Sequence, residues 1–376
     1  MDKMKVMTVV GTRPEIIKLS QIIKKLDKNF DHTLVHTGQN YDYELNEIFF
    51  EELGLRKPDI FLNAAGETSS QTIGNVIKRI ETPIIDIKPE AFLILGDTNS
   101  SMAAITAKRN KIPIFHMEAG NRCFDARVPE EILRKIIDHT SDVNLPYSNI
   151  AREYLLKEGL PPDRIIKIGS PMKEIINYYE DKIMGSQILS KLKIKENSYF
   201  LVSAHREENV DNKSKLHKFL DILNSLVDKY NLPIIVSTHP RTRNKIDNEN
   251  ITLNKDIIFS KPFGYFDYNL LQLKAFCVIS DSGTLTEESS ILNFPAINLR
   301  EVHERPEGSE EMPALMTGLS KERLIQAVSL IKNNSKDKKN TIKIVSDYSF
   351  ENVSEKVLRI IISYRDYVKR EVWKNY

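Results

Sequence analysis

The stretch VMTVVGTRPEIIKLSQIIKKL (6–26) decides the fold. A short apolar run, VMTVV (6–10), passes through Gly11, Thr12 and Arg13 into PEIIKLSQIIKKL (14–26). There Ile16, Ile17, Leu19, Ile22, Ile23 and Leu26 recur at helical spacing. A brief, β-branched run followed by an amphipathic helix is the repeating unit of a parallel sheet buried on both faces. The unit recurs down the chain. HTLVHT (32–37) precedes YELNEIFFEELG, where Gly54 is a helix stop, and AFLIL (91–95) precedes NSSMAAITAKRN and then PIFHME (113–118). A second series, YFLVSA (199–204), PIIVSTH (233–239), DIIFS (256–260) and FCVISD (276–281), repeats the scheme after the less apolar segment DKIMGSQILSKLKIKENS (181–198). The expectation is an α/β chain with two doubly wound parallel sheets, divided near residues 170–180. The tail, ending EKVLRIIISYRDYVKREVWKNY, reads as one long helix carrying Trp373, and NNSKDKKN (333–340) as a solvated linker.

Length and composition agree. The 376 residues suggest two domains at ~150 residues each, and 41% hydrophobic with 28% charged residues is globular composition. Lys plus Arg number 54 and Asp plus Glu 52, a balance of +2 that gives no electrostatic reason to expect nucleic acid or an anionic membrane as partner. No run approaches the ~18 apolar residues of a membrane span, and the N-terminus lacks the ~7–15-residue apolar core of a signal peptide. A cytoplasmic location is expected. Cys123 and Cys277 lie far apart and outside any C-x-x-C pair, which argues against a disulfide scaffold or thiolate zinc site.

In open α/β sheets, ligands bind beyond the carboxyl ends of the strands. Those positions read GTRPE (11–15), GDT (96–98), HMEAG (116–120), HRE (205–207), HP (239–240) and DSGT (281–284). Polar groups at the strand ends of both domains suggest a cleft between them, suited to a substrate with two chemically different halves. GTRPE places Arg13 beside a helix start, a natural phosphate site and equally the pattern of an ordinary βα turn. In DSGTLTEESSILN, Asp281 or Ser282 is a candidate helix cap, Gly283 lets backbone N–H groups approach a phosphate, and Glu287 or Glu288 follows one turn later. A plain capping box reads the same way. No G-x-G-x-x-G or G-x-x-x-x-G-K-[ST] fingerprint occurs, nor H-E-x-x-H. His116 and Glu118 alone make a weak metal pair, and no metal site is expected. The acidic set is Asp97, Glu118, Glu130 and Glu131. Asp97 and Glu118 end neighbouring predicted strands, where a charge is costly unless it serves something, and with His205 they suggest an acid/base constellation. Cys277 reads as core packing, and Cys123 is assigned no catalytic role.

At these residues the chain resembles the non-hydrolysing UDP-N-acetylglucosamine 2-epimerase family. The shared motifs are GTRPEIIKLS (11–20), HTGQ (36–39), LGDTNS (95–100), HMEAGNR (116–122), PEEILRKIIDH (129–139), GSP (169–171), SAHREEN (203–209), DSGTLTEES (281–289) and ERPEG (304–308). The resemblance implies two Rossmann-like domains of the glycosyltransferase-B type, 1–172 and 173–376, with a final helix (about 355–376) packing back on the first. It also implies a UDP-sugar as partner, a homodimer and no tightly bound redox cofactor. By matching motif positions, Asp97, Glu118 and Glu130 are the acid/base carboxyls, and His205 completes the catalytic set. Arg13, Lys18, Tyr268, Ser282, Gly283, Thr284 and Glu288 form the UDP-binding set.

Some positions depart from the commonest bacterial pattern. DSGT stands for the usual DSGG, setting the Thr284 side chain beside the phosphates. QNYD (39–42) and SSQT (69–72) replace segments that in many members help form a second, activating substrate site, so no allosteric activation is expected. GNRCFDARVPEE and HERPEG look more like members acting on modified sugars, such as a 2-acetamido-2,6-dideoxy-L-talose or a diacetamido uronic acid. A rival of another class is a retaining glycosyltransferase of the same architecture. It needs an acceptor surface, for which the Lys18, Lys24 and Lys25 helix is the candidate.

Overall fold

The structure, a computed structural model, describes residues 3–39, 43–204, 212–238, 243, 245–246, 251–302, 305–336 and 342–375. Two compact units divide the chain: Met1–Tyr178 with Asp347–Tyr376, and Tyr179–Ser346.

The first unit holds β1 (Lys5–Val10), β2 (Asp31–His36), β3 (Ile60–Phe61), β4 (Ala91–Leu95), β5 (Ile114–Met117) and β6 (Val143–Leu145) in one parallel sheet. Their order is β3-β2-β1-β4-β5-β6. The second unit holds β7 (Phe200–Ser203), β8 (Ile234–Ser237), β9 (Ile257–Ser260), β10 (Cys277–Ser280), β11 (Ala296–Asn298) and β12 (Ala314–Met316), ordered β12-β11-β10-β7-β8-β9. Counted from its own first strand, this is the same doubly wound order. The strand sequence therefore reverses between β1 and β4 in one unit and between β7 and β10 in the other, the crevices where such sheets bind ligands.

The central strands explain the run-like sequence. Every residue of AFLIL in β4 is buried, because helices cover both faces, so each position must be apolar. The helix Arg13–Asn29 buries Ile16, Leu19, Ile22, Ile23 and Leu26, while Ile17 stays half-buried. The tail helix Val353–Glu371 packs against it, burying Val357, Leu358 and Ile361. That helix ends short of residue 376. Val372 N still bonds Val368 O, but Lys374 is left-handed (φ 53°) and Asn375 N turns back to Lys369 O. Trp373 thus lies in the terminal turn, its ring 5.5 Å from Lys108 Nζ, and not in the helix as the pattern predicts. Cys277 is buried in β10, and burial raises its thiol pKa far above the ordinary range. Among the described residues no helix is long and apolar enough to cross a membrane.

Candidate active site

The turn after β1 is set by Gly11 and closed by Glu15. A Cβ on Gly11 would lie 2.1 Å from both Ser100 Oγ and Thr37 Oγ1, so the turn accepts no side chain there. Thr12 is extended (φ −135°) at the helix N-cap, Pro14 sits in the first turn, and the Glu15 carboxylate folds back over it. Glu15 accepts Gly11 N at 2.6 Å, Thr12 N at 2.8 Å and the Thr98 hydroxyl at 2.5 Å. It therefore ties the Arg13 turn to the Asp97–Thr98 turn. Burial pushes its carboxyl up to about 7, against the lowering effect of those hydrogen bonds. Arg13 is exposed, its guanidinium 5.7 Å from the centre of the Phe49 ring.

Asp97 and Glu118 leave adjacent strands one register position apart, since Leu95 of β4 pairs with Met117 of β5. Asp97 Oδ2 lies 2.5 Å from Arg134 Nε. Glu118 is left-handed (φ 65°), a backbone state that costs a non-glycine residue roughly 1–2 kcal/mol. Its surroundings hold it there: Glu118 N donates to Leu145 O, and the carboxylate meets Lys18 Nζ at 2.6 Å and Asn121 Nδ2 at 3.4 Å. Lys18, placed with the UDP-binding set by motif, is thus buried against a carboxyl, with its ammonium 5.3 Å from the Tyr147 ring centre.

The helix Pro129–Thr140 separates the paired glutamates. Glu131 is buried, accepting Cys123 N at 3.0 Å, Phe124 N at 3.2 Å and Arg134 Nη1 at 2.9 Å, and so closes the 121–128 loop. Glu130, half-buried in the first turn, makes no hydrogen bond or ion pair among the described residues. Cys123 faces Glu131 at 3.3 Å, which with burial holds its thiol above the usual range. His116 and Glu118 do not converge: Glu118 turns to Lys18, while His116 Nε2 lies 3.0 Å from Gly96 O.

In the second unit the β10 turn is built on serines. Ser280 Oγ meets Ser203 Oγ at 2.7 Å and accepts Ser282 N at 3.0 Å, and Tyr268 Oη lies 3.0 Å from Ser203 Oγ. Tyr268 and Ser282 of the UDP-binding set therefore share one hydroxyl chain. The helix begins at Leu285 with Thr284, not Asp281 or Ser282, at the N-cap. The Ser282 hydroxyl is used inside the turn, 3.1 Å from Thr284 Oγ1 and 3.4 Å from Thr284 N. Gly283 lies half-buried between them. The two glutamates are both buried, with different partners. Glu287 is fully buried against Arg305 Nε at 3.2 Å, whereas Glu288 accepts Gln272 Nε2 at 2.6 Å. His205, two residues beyond β7, lies outside the described residues.

Sequence reasoning missed Arg134, Glu15 and Gln272. Arg134 stands four residues after Glu130 in PEEILR, one helical turn on the same face, and Thr12-x-x-Glu15 carries the capping-box signature. No local signal marks Gln272.

The model of the UDP-N-acetylglucosamine 2-epimerase family matches residues 24–362. A solved UDP-N-acetylglucosamine 2-epimerase from Rickettsia bellii is 49% identical, with TM-score 0.92 over 99% of this chain and 100% of that one. The Methanocaldococcus jannaschii UDP-GlcNAc 2-epimerase, solved in complex with UDP-GlcNAc and UDP, is 35% identical, with TM-score 0.88 over 96% and 100%. A UDP-2,3-diacetamido-2,3-dideoxy-D-glucuronate 2-epimerase from Pseudomonas aeruginosa is 33% identical over 304 residues, 79% of this chain and 84% of that one. On this evidence of sequence and fold together, the chain belongs to the UDP-N-acetylglucosamine 2-epimerase family.

Proposed function

We propose that this protein interconverts UDP-N-acetylglucosamine and UDP-N-acetylmannosamine by inverting C2 of the sugar. C2 of an N-acetylhexosamine has no neighbouring carbonyl, so removing its proton alone yields an unstabilised carbanion. Elimination avoids this. A carboxylate takes the C2 proton, the C1–O bond breaks with its electron pair leaving on UDP, and 2-acetamidoglucal forms. Protonation of C2 from the opposite face and re-formation of the C1–O bond give the epimer.

The observation that carries this reading is the placement of Asp97 and Glu118. Two carboxyls leave adjacent strands beside the β1/β4 switch point, each beside its own cation, Arg134 or Lys18. Inversion needs proton-transfer groups for two faces of one ring, and with Glu130 the first unit supplies them. Departing UDP gathers negative charge, which Arg13, His205 and the Ser282–Thr284 helix start are suited to stabilise, each such donor contributing ~10²–10³ in turnover. Tyr268 and Glu288 serve the nucleoside, Glu288 accepting from ribose hydroxyls. The working form is a cytoplasmic homodimer.

A second substrate reading has its own support: the Pseudomonas relative is named for a diacetamido glucuronate, and GNRCFDARVPEE lies beside the acid/base set. The transferase reading loses its acceptor surface. Lys18 is buried on Glu118, Lys24 lies over the Tyr178 ring, and Lys25 pairs with Glu174 and Glu355.

The test offers the purified protein each UDP-sugar in deuterium oxide and follows C2 by proton NMR. The expected result is deuterium at C2 of epimerised UDP-N-acetylglucosamine. Asp97→Asn, Glu118→Gln and His205→Ala should each cost ~10²–10⁴ in rate while the fold is kept. Failure to turn over UDP-N-acetylglucosamine refutes the substrate, and wild-type rates in those variants refute the site.

A further inference from the structure

Behind the acid/base carboxyls lies a charged cluster that touches no candidate substrate group. Asp138, on the helix Pro129–Thr140, is fully buried. Its carboxylate has three neighbours. Gly120 N donates to its two oxygens at 3.3 and 3.2 Å, Arg122 Nη1 lies 2.7 Å from Oδ2, and His116 Nδ1 lies 3.0 Å from Oδ1. The His116 contact is a close approach of ring and carboxylate and not a hydrogen bond. The far side of the same ring, Nε2, meets Gly96 O at 3.0 Å.

These contacts fall on particular backbone positions. Gly96 precedes Asp97 and is left-handed at φ 70°, while Gly120 follows Glu118 by two residues and is left-handed at φ 83°. One carboxylate thus braces the turn that presents Asp97, through the imidazole, and the turn that presents Glu118, directly. Arg122 completes the brace, carrying Asn121 O at 2.7 Å and Glu158 at 2.8 and 2.6 Å. The same helix sends Arg134 to Asp97.

We propose that Asp138 and His116 are positioning residues for the reaction: together they fix the left-handed turns at Gly96 and at Glu118–Gly120, and so set the spacing of the two carboxyls. This rests on the reading of Asp97 and Glu118 as the acid/base pair. Proton abstraction and redelivery at one carbon demand both carboxyls in register at once. Buried charge is costly to keep, and here every contact of the Asp138 carboxylate lands on a segment that carries or flanks one of those carboxyls. A misplacement of about 1 Å costs up to ~10²-fold in rate, so the brace bears on turnover as well as on stability.

The experiment compares full-length wild type with His116→Leu, His116→Gln, Asp138→Asn and Asp97→Asn. It measures kcat, KM, UDP affinity by calorimetry, melting temperature, and the ratio of released 2-acetamidoglucal to epimerised product. His116→Leu leaves the Asp138–Arg122 pair intact and removes the donor to Gly96 O. Its kcat should fall ~10–100-fold with KM and UDP affinity within about twofold. The glucal ratio should rise, because a displaced acid delays re-addition while release proceeds. His116→Gln, which keeps an N–H for Gly96 O, should recover much of the loss. Asp138→Asn should behave as His116→Leu if it folds; the His116 pair decides the matter if it does not. The proposal is overturned if His116→Leu keeps kcat within twofold of wild type, or loses activity only in step with melting temperature at an unchanged glucal ratio. If Asp97→Asn itself retains full turnover, the functional reading fails and the positioning role with it. If Asp97→Asn is dead while His116→Leu is wild-type, the positioning role alone fails.

Discussion

Arg134 Nε meets Asp97 Oδ2 at 2.5 Å while Arg134 Nη1 reaches Glu131 at 2.9 Å, so one guanidinium fork joins a candidate proton carrier to the carboxyl that closes the neighbouring loop. Both arms are needed, and they leave from one plane at fixed angles. A lysine supplies one point charge and no fork. Arg134→Lys should therefore reduce kcat by ~10–100-fold while UDP affinity, which the proposed UDP-binding set carries without Arg134, stays within about twofold. Unchanged kcat in Arg134→Lys would show that the fork has no part in holding Asp97.

Gly11 offers a sharper steric test. An added methyl would overlap Ser100 Oγ and Thr37 Oγ1, each 2.1 Å from the Cβ position, and both belong to neighbouring turns at the β1/β4 switch point. Those hydroxyls are themselves hydrogen-bonded at 2.7 Å, so neither yields without loss. Gly11→Ala should destabilise the protein by roughly 1–3 kcal/mol, as overpacking does, and impair turnover beyond that loss. Chemical denaturation with parallel rate measurements checks both, and a fully active, fully stable Gly11→Ala contradicts the packing.

The fold was legible where the physics is local. Strands buried on both faces must be largely apolar, so β4, β5, β7, β8 and β10 appear as runs in the sequence; β9 reads as a run too, although it is an edge strand with Ile258 exposed. The short β3, β6, β11 and β12 (IF, VNL, AIN and ALM) do not, since two or three residues carry no period and take their strand state from neighbours in the sheet. The site divides in the same way. Asp97 and Glu118 were visible because charge at a strand end is conspicuous. Which member of each paired glutamate is held by an arginine was not: Glu131 and Glu287 are taken by Arg134 and Arg305, partners set by tertiary packing. The Asp138–His116–Gly96 contacts were equally hidden, because they join three elements that no local pattern connects.

The SSQT segment bears on regulation. In the structure Gln71 caps its own helix, accepting Thr68 N at 3.2 Å through its side chain, while the Thr72 hydroxyl accepts Gly66 N at 3.0 Å. These hydrogen bonds engage the Gln71 carbonyl and the Thr72 hydroxyl within the segment itself. Epimerisation should follow hyperbolic kinetics and show no lag when the epimer is the starting substrate. Sigmoidal rate curves, abolished by traces of the other sugar nucleotide, would count against this.

Glu15 makes stability depend on pH in a direction opposite to a salt-bridged carboxylate. Its folded pKa of about 7 exceeds the ordinary 4.5 because burial disfavours the charge. Between these values the folded state holds a proton that the unfolded chain has released. Stability is therefore highest below pH 4.5 for this group, declines as pH rises toward 7, and levels off above. The rise from 4.5 to about 7 corresponds to about 3 kcal/mol at most. The neutral acid fits its site: one oxygen accepts Gly11 N and Thr12 N, and the other, once protonated, donates to the Thr98 oxygen. All three contacts survive protonation, with only the Thr98 bond reversing. Glu15→Gln has the same shape and does not titrate. Its stability relative to wild type should improve from pH 5 to pH 8 by an amount approaching that figure, read from urea denaturation at both pH values. Parallel curves for the two proteins would mean that Glu15 is ionised throughout, and that its three donors outweigh the loss of water.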